Sequence, residues 1–234
     1  MISLENKSVL VAGASSGIGR AIAVAMAREG ARVMASARRE SLLRTLGPGV
    51  EVFPADLGVR AQAEALIAAA LEKLGRIDIL IYSAGANIPA RAMRVLTPET
   101  WDMMLAVNLT GAFDCTRAVL PAMRAAGGGL IVYISSISAH EADASGAAYQ
   151  AAKRGLAGLA HATRLEEKEN GIRTSVVFPG LVRTEMVNRR PVPTPEEVVA
   201  KALEPEDVAE AVMAIARLHP RAVVPEMEIV PAGL

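Results

Sequence analysis

Short apolar runs alternate along this chain with longer stretches of helical periodicity. Residues 8–11 form an apolar run that leads into glycines, which reads as a buried strand. Residues 17–29 follow with Ile18, Ile22, Ala25 and Met26 at helical spacing and Gly30 as a stop. The same reading predicts strands at 32–37, 50–53, 77–82, 130–135 and 174–178, and a short last one at 227–230. It predicts helices at 60–74, 98–123, 148–170 and 205–218; the second crosses Asn108 and Gly111, and Gly171 closes the third. The strands are continuous apolar runs, as expected when both faces of a parallel sheet are covered. Strand and helix alternate about six times, which predicts an α/β fold: a Rossmann-type doubly wound parallel sheet of about seven strands in three α/β/α layers. No composition shift divides the 234 residues, so residues 1–234 are expected to be a single domain. The Pro-rich stretch 189–195 falls in a long connection, and residues about 181–204 are expected to be a substrate loop.

Charge and composition narrow the function. Lys+Arg and Asp+Glu both number 25, so the net charge is zero and a nucleic-acid or anionic-membrane partner is not expected. Hydrophobic residues at 52% against charged residues at 21% exclude a disordered chain. Cys115 is the one cysteine, which excludes an intramolecular disulfide and a Cys-rich zinc cluster. His140, His161 and His219 are too scattered to suggest a metal site. No apolar run approaches the roughly 18 residues needed to cross a bilayer, and Glu5 and Lys7 stand where a signal peptide needs an apolar run. A cytoplasmic location is expected.

The chemistry begins at Gly13, Ser15, Ser16, Gly17, Ile18 and Gly19, between the first strand and the first helix. Glycines there permit a tight turn and let backbone N–H groups approach an anion, and the helix N-terminus favours negative charge. The spacing is G-x-x-x-G-x-G, not the general G-x-G-x-x-G fingerprint. This loop resembles that of the short-chain dehydrogenase/reductase family, in its compact single-domain branch. The resemblance runs from Leu4 to about Pro231, with further motifs in order and at suitable spacing.

The resemblance implies a nicotinamide dinucleotide cofactor and four working residues: Asn108, Ser136, Tyr149 and Lys153. It implies further cofactor contacts at Asp56 and Leu57 around the adenine, and at Ser83, Ala84 and Gly85. From Phe178-Pro-Gly-Leu-Val-Arg-Thr184 it adds Pro179, Gly180, Val182 and Thr184. The family position for an NAD-selecting Asp is occupied by Ala37, and Arg38 follows. A missing carboxylate removes repulsion from a 2′-phosphate, and a guanidinium can pair with it, so NADP(H) is favoured and NAD(H) is possible. Ser36 is small enough to add a hydroxyl contact.

The residue types suit hydride transfer between nicotinamide and a carbonyl or secondary alcohol. A free tyrosine has a pKa near ~10, so only about one in a thousand is ionised at pH ~7. Lys153 is four residues beyond Tyr149, on the same helix face, and its ammonium is expected to lower the phenol pKa and make Tyr149 a general acid/base. Ser136 is expected to orient the substrate oxygen, and Lys153 also to hold the nicotinamide ribose. Asn108, by resemblance, interrupts its helix and holds a water linking Lys153 to solvent. His140, in the loop after Ser136, is a further candidate to touch substrate.

The chain departs from the family pattern at Ala12, Ser83 and Phe178. Those departures motivate the alternative of a non-catalytic dinucleotide-binding sensor or assembly subunit. Among enzymes, a 3-oxoacyl-thioester reductase and a small ketone, polyol or hydroxy-acid dehydrogenase stay open. The short segment after Thr184 carries no charged cluster that marks an anionic substrate. By resemblance, a homodimer or homotetramer forms through the two long helices, where Ala151, Ala152, Gly155, Ala157, Gly158 and Ala160 permit close approach.

Overall fold

A computed structural model describes all of residues 1–234. Seven strands form one parallel sheet: β1 (Ser8–Ala12), β2 (Arg32–Ala37), β3 (Val50–Pro54), β4 (Ile79–Tyr82), β5 (Gly129–Ile134), β6 (Ile172–Pro179) and β7 (Glu226–Ile229). Their order is β3-β2-β1-β4-β5-β6-β7. Eight α-helices accompany them: α1 (Gly17–Arg28), α2 (Glu40–Leu43), α3 (Arg60–Leu74), α4 (Pro98–Leu105), α5 (Gly111–Ala125), α6 (Ala147–Glu167), α7 (Glu196–Val199) and α8 (Pro205–Ala216). The expected seven-stranded, three-layer architecture is the one observed.

Alternation along each strand builds the two apolar layers. Val9 and Val11 of β1 face one side, with Ile22 and Met26 of α1 and Val208 and Val212 of α8. Leu10 and Ala12 face the other, with Leu66 and Ile67 of α3, Cys115 and Val119 of α5 and Leu156 of α6. Local signals set the element ends. Pro98 opens α4, where the Thr97 hydroxyl accepts from the Thr100 N–H at 3.3 Å. Gly75 ends α3 at φ +77°, and Gly171 turns the chain into β6 at φ +71°.

β1 pairs with β2 on one edge and β4 on the other. The connections leaving the carboxyl ends of these strands therefore diverge, which opens a crevice there. Gly13 follows β1, Ser83-Ala84-Gly85 follows β4, Ser135-Ser136 follows β5 and Gly180 follows β6, so the expected site residues gather at one end of the sheet.

Two regions differ from the sequence reading. The stretch that periodicity reads as one helix over 98–123 is broken by a π-helical turn at Ala106–Thr110, around the Asn108 that the resemblance expects to interrupt it. Its backbone groups find outside partners: the Tyr82 hydroxyl donates to the Val107 carbonyl at 2.7 Å. The expected loop 181–204 contains the helical turn Val187–Arg189 and the short α7. Its root is pinned by a bridge between Val182 and Leu203, where Leu203 N–H donates to Leu181 at 2.9 Å and Arg183 N–H to Leu203 at 2.8 Å.

α5 is seated by a missing side chain. A Cβ on Gly111 would lie 2.2 Å from the Leu57 carbonyl oxygen and 2.5 Å from the Tyr82 hydroxyl. Gly111→Ala is expected to lower the unfolding free energy by about 1–3 kcal/mol, the cost of overpacking. A shifted urea midpoint at unchanged slope would show it; an unchanged midpoint would disprove the close approach.

Candidate active site

The glycine loop rests against bare backbone. Gly13 has φ +92°, and a Cβ there would lie 2.4 Å from the Ala84 nitrogen. A Cβ on Gly19 would lie 2.3 Å from the Gly13 carbonyl oxygen. Gly13 N–H and Ala14 N–H donate to the Ser36 carbonyl at 2.7 and 2.9 Å, and Ser83 N–H donates to the Ala12 carbonyl at 2.8 Å. Main-chain bonds therefore hold the loop between β2 and β4 although residue 12 lacks a hydroxyl.

One cleft is lined by Gly13, Ser15, Ser16, Gly17, Ile18 and Gly19 together with Arg38, Asp56, Leu57, Ser83, Ala84, Gly85, Tyr149, Lys153 and Thr184. Nearly every residue expected to hold the dinucleotide is thus brought together. Pro179, Gly180 and Val182 instead line an adjoining cavity, which shares Ile18, Ser135, Tyr149, Thr184 and Met186 with the first. Asp56 forms a local turn, its carboxylate accepting from Gly58 N–H at 3.0 Å.

Ser36 does not reach the cleft. Its hydroxyl is fully buried without a partner, and its carbonyl supports the loop instead. The sequence reading missed Arg39. Its guanidinium donates to the Ser15 hydroxyl at 3.1 Å and the Ser16 hydroxyl at 2.6 Å, and pairs with Glu185 at 2.8 Å. Arg38 and Arg39 both line the cleft where β2 ends. The adjacent pair was visible in the sequence, but nothing local separates a bridging arginine from a solvated one.

The four residues singled out by resemblance converge. Asn108 is completely buried in the π-helical turn. Its amide donates to the Ala86 carbonyl at 3.0 Å and the Met104 carbonyl at 2.8 Å, and its oxygen accepts from Ala86 N–H at 3.1 Å. It therefore joins the broken helix to the segment after β4. Ser136 caps the helical turn Ile137–Ala139, accepting from Ser138 N–H at 3.2 Å. Its neighbour Ser135 is occupied structurally, donating to the Lys153 carbonyl at 2.8 Å. Tyr149 lies in the first turn of α6, and its hydroxyl meets the Met186 sulfur at 3.9 Å. Lys153 Nζ donates to the Ile134 carbonyl at 2.8 Å and lies 5.6 Å from the centre of the Tyr149 ring.

The pairing does not lower the Tyr149 pKa. Burial pushes the phenol up to about 12, and the Ser136 hydroxyl draws it only part of the way back. Burial also lowers the Lys153 ammonium to about 8. Both shifts have one cause, since each group is more easily kept neutral in this dry corner.

His140 is not brought to either cavity. Its ring packs on Phe178, 4.1 Å between centroids, and its Nδ1 faces the Glu228 carboxylate at 3.3 Å. Phe178, one of the departures from the family pattern, thus provides the surface that holds His140 aside. Cys115 lies on the buried face of α5 and its thiol is pushed up to about 12, so it is no nucleophile. No group of histidine, cysteine or carboxylate side chains could hold a metal ion, and no helix is long and apolar enough to cross a membrane.

Comparison with known proteins decides the family. Residues 7–193 match the short chain dehydrogenase family. This chain belongs to it. An uncharacterized oxidoreductase of Staphylococcus haemolyticus is 30% identical over 218 residues, 91% of this chain and 92% of its own length. A D-beta-hydroxybutyrate dehydrogenase of Cupriavidus necator is 35% identical, covering 80% of this chain and 75% of that protein. Among solved structures, the closed form of a serine dehydrogenase complexed with NADP+ is 30% identical with a TM-score of 0.85. It covers 94% of this chain and 93% of its own. A metagenomic short-chain oxidoreductase in complex with NADP is 32% identical with a TM-score of 0.83, covering 99% of both chains. The protein is accordingly an oxidoreductase of the short-chain dehydrogenase family, whose members act on CH–OH groups.

The buried Lys153 gives a pH test of this geometry. Its folded pKa of about 8 lies below the ordinary value of 10.5. Between those values the unfolded chain binds more protons than the native one, so the lysine's penalty fades as pH rises. Wild type is expected to gain about 2 kcal/mol relative to Lys153→Met between pH ~8 and ~10, with no change in the difference below pH ~7. Urea unfolding of both proteins across that range measures it; a pH-independent difference would refute the burial.

Proposed function

We propose that this protein is an NADP(H)-dependent oxidoreductase that moves a hydride between the cofactor and a carbonyl or secondary alcohol, with Tyr149 as general acid/base. The observation that carries this is the position of Tyr149, which lines both the dinucleotide cleft and the adjoining cavity. A substrate oxygen in that cavity meets the phenol at the edge of the cleft.

The residues fit the cofactor. Gly13 and Gly19 leave the loop without Cβ atoms where backbone must pass closely, and Gly17 at φ +56° opens α1 toward the same cleft. A Cβ on Gly85 would lie 3.6 Å from Lys153 Nζ, so the bare wall there keeps the ammonium facing the cleft. Arg38 and Arg39, with no carboxylate at residue 37, suit a 2′-phosphate. Both solved structures reported above hold NADP, which supports the same choice. When bound, the cofactor supplies or accepts the hydride at its nicotinamide.

The chain's own residues then do the rest. Tyr149, protonated throughout the neutral range, donates its proton to the carbonyl oxygen during reduction. Ser136 donates a hydrogen bond to that oxygen and orients it. Lys153 holds the ribose and, while charged, favours the phenolate left behind. Asn108 fixes the π-helical turn against the segment after β4, and through it the wall beside Lys153. In oxidation the proton moves the other way, onto Tyr149. Pro179, Gly180, Val182 and Thr184 shape the nicotinamide end, and residues about 181–204 cover the substrate. The reading includes a cytoplasmic single domain that forms a homodimer or homotetramer through its long helices, α5 and α6 among them, where Phe113 is 42% exposed.

Two variants test it. Tyr149→Phe is expected to lower turnover by about 10²–10⁴-fold, the usual contribution of a general acid, while NADPH still binds in a fluorescence titration. Undiminished turnover would refute Tyr149 as the acid/base residue, and NADPH binding without turnover in wild type as well would support the sensor role instead. Arg38→Asp is expected to weaken NADPH by about 10–100-fold, as a lost charge-assisted bond implies, and to leave NADH unchanged or tighter. Equal effects on both coenzymes would refute the 2′-phosphate assignment.

A further inference from the structure

The cavity beside Tyr149 contains a buried cation that forms no ion pair within the chain. Arg91 follows the β4 connection and keeps only 8% of its exposure. Its Nε is buried without a hydrogen-bond partner, and its guanidinium forms no ion pair. An arginine taken out of water without a counterion is costly, and natural sites supply the missing anion. Here the guanidinium lines a cavity of about 180 Å³, together with Tyr149 and Ser136. That is small beside typical ligand pockets of about 300–1,000 Å³.

The surrounding charges select the ligand. Arg91, Arg190 and Asp143 are the charged residues of this cavity. Asp143 is already satisfied, accepting from the Ser138 hydroxyl at 2.6 Å, the Ser145 N–H at 2.8 Å and the Ser145 hydroxyl at 2.9 Å. Two cations against one anion leave one positive charge over. Burial lowers the Arg91 pKa first and the charge of Arg190, on the segment after β6, lowers it further, while Asp143 opposes both.

The position of Arg91 relative to the reacting oxygen is fixed. Gly146, at φ +90°, precedes α6; a Cβ there would lie 2.9 Å from the Arg91 Cβ and 2.7 Å from its carbonyl oxygen. Arg91 is therefore clamped against the start of the helix that carries Tyr149 in its first turn. Asn87 secures the same corner by donating to the Ser145 carbonyl at 3.1 Å.

We propose that the substrate is a small hydroxy or oxo monocarboxylate, its carboxylate held by the Arg91 guanidinium, with Arg190 closing over it, and its hydroxyl or carbonyl oxygen placed at Tyr149. This rests on the reading of Tyr149 as the acid/base residue and adds the substrate class. A planar guanidinium grips a carboxylate through two parallel hydrogen bonds, which also sets the direction of the substrate chain. No local signal marks this site, because its two arginines come from segments nearly 100 residues apart.

The test uses three- to five-carbon 2-oxo and 3-oxo acids and their methyl esters, with NADPH and the full-length protein. Wild type is expected to reduce at least one acid with a kcat/KM at least tenfold above that of its ester. Arg91→Met is expected to raise the KM for that acid about 100-fold, in line with a lost charged hydrogen-bond pair, to change the ester's by less than threefold, and to leave NADPH affinity unchanged. Arg91→Lys is expected to recover part of the loss. Calorimetric titration of the corresponding hydroxy acids into wild type and Arg91→Met judges the anion site even where nothing turns over. Esters that match the acids in wild type, or acids that bind both proteins equally, would overturn the carboxylate assignment while leaving a neutral-carbonyl reductase standing. Acid binding that depends on Arg91, with no reduction of any carbonyl, would uphold the anion site and defeat the catalytic reading.

Discussion

Backbone lies directly against backbone where the loop after β1 meets the segment after β4, and the cleft is built on that contact. At Gly13 there is no room for even a methyl group against Ala84. The contact fixes where the carboxyl end of β1 stands relative to β4, and so where the crevice opens. From the β4 side it continues through Ala86, which both donates to and accepts from the Asn108 side chain. Asn108 in turn sits in the π-helical turn that Tyr82 holds from below. One chain of main-chain and amide contacts therefore connects the glycine loop to the wall beside Lys153. The hydroxyl absent at residue 12 is not required for this, since the Ser83 N–H reaches the Ala12 carbonyl without it.

Electrostatics in the site follow from dryness rather than from pairing. Lys153 is held by a carbonyl, and Arg91 forms no ion pair, its Nε lacking any partner although Asp143 lies in the same cavity. Burial moves Lys153 down to about 8 and Tyr149 up to about 12, opposite in direction because one group is charged when protonated and the other when not. A low-dielectric corner stocked with unpaired donors is costly for the free protein and favourable for a ligand that brings negative charge or developing oxyanion character.

The sheet and most helices were legible because their signals are local. Continuous apolar runs between glycines mark β1, β2 and β5 within a residue or two, and Gly75 and Gly171 stop their helices by backbone conformation alone. The break at Ala106–Thr110 had no local signal, since Val107-Asn-Leu-Thr is compatible with a helix; the resemblance placed an interruption at Asn108, and Tyr82 and Ala86 bond to the turn from across the chain. The convergence of Asn108, Ser136, Tyr149 and Lys153 was anticipated by resemblance, whereas their electrostatics were not, because spacing along a helix says nothing about burial. His140 shows the same limit. Its loop position put it near the cleft, but its ring is captured by Phe178, which belongs to another strand.

Arg91 marks the boundary between the two kinds of information. Its own surroundings, Ile88-Pro-Ala-Arg-Ala92, carry no periodicity and no motif. It becomes informative only when Gly146 closes on its stem and Arg190 arrives from a third segment. A solvated arginine and a buried one look alike in sequence, but they differ in what they need. The solvated one is satisfied by water, whereas the buried one calls for an anion, and this fold places it beside Tyr149 in a cavity whose one carboxylate, Asp143, is already engaged by Ser138 and Ser145.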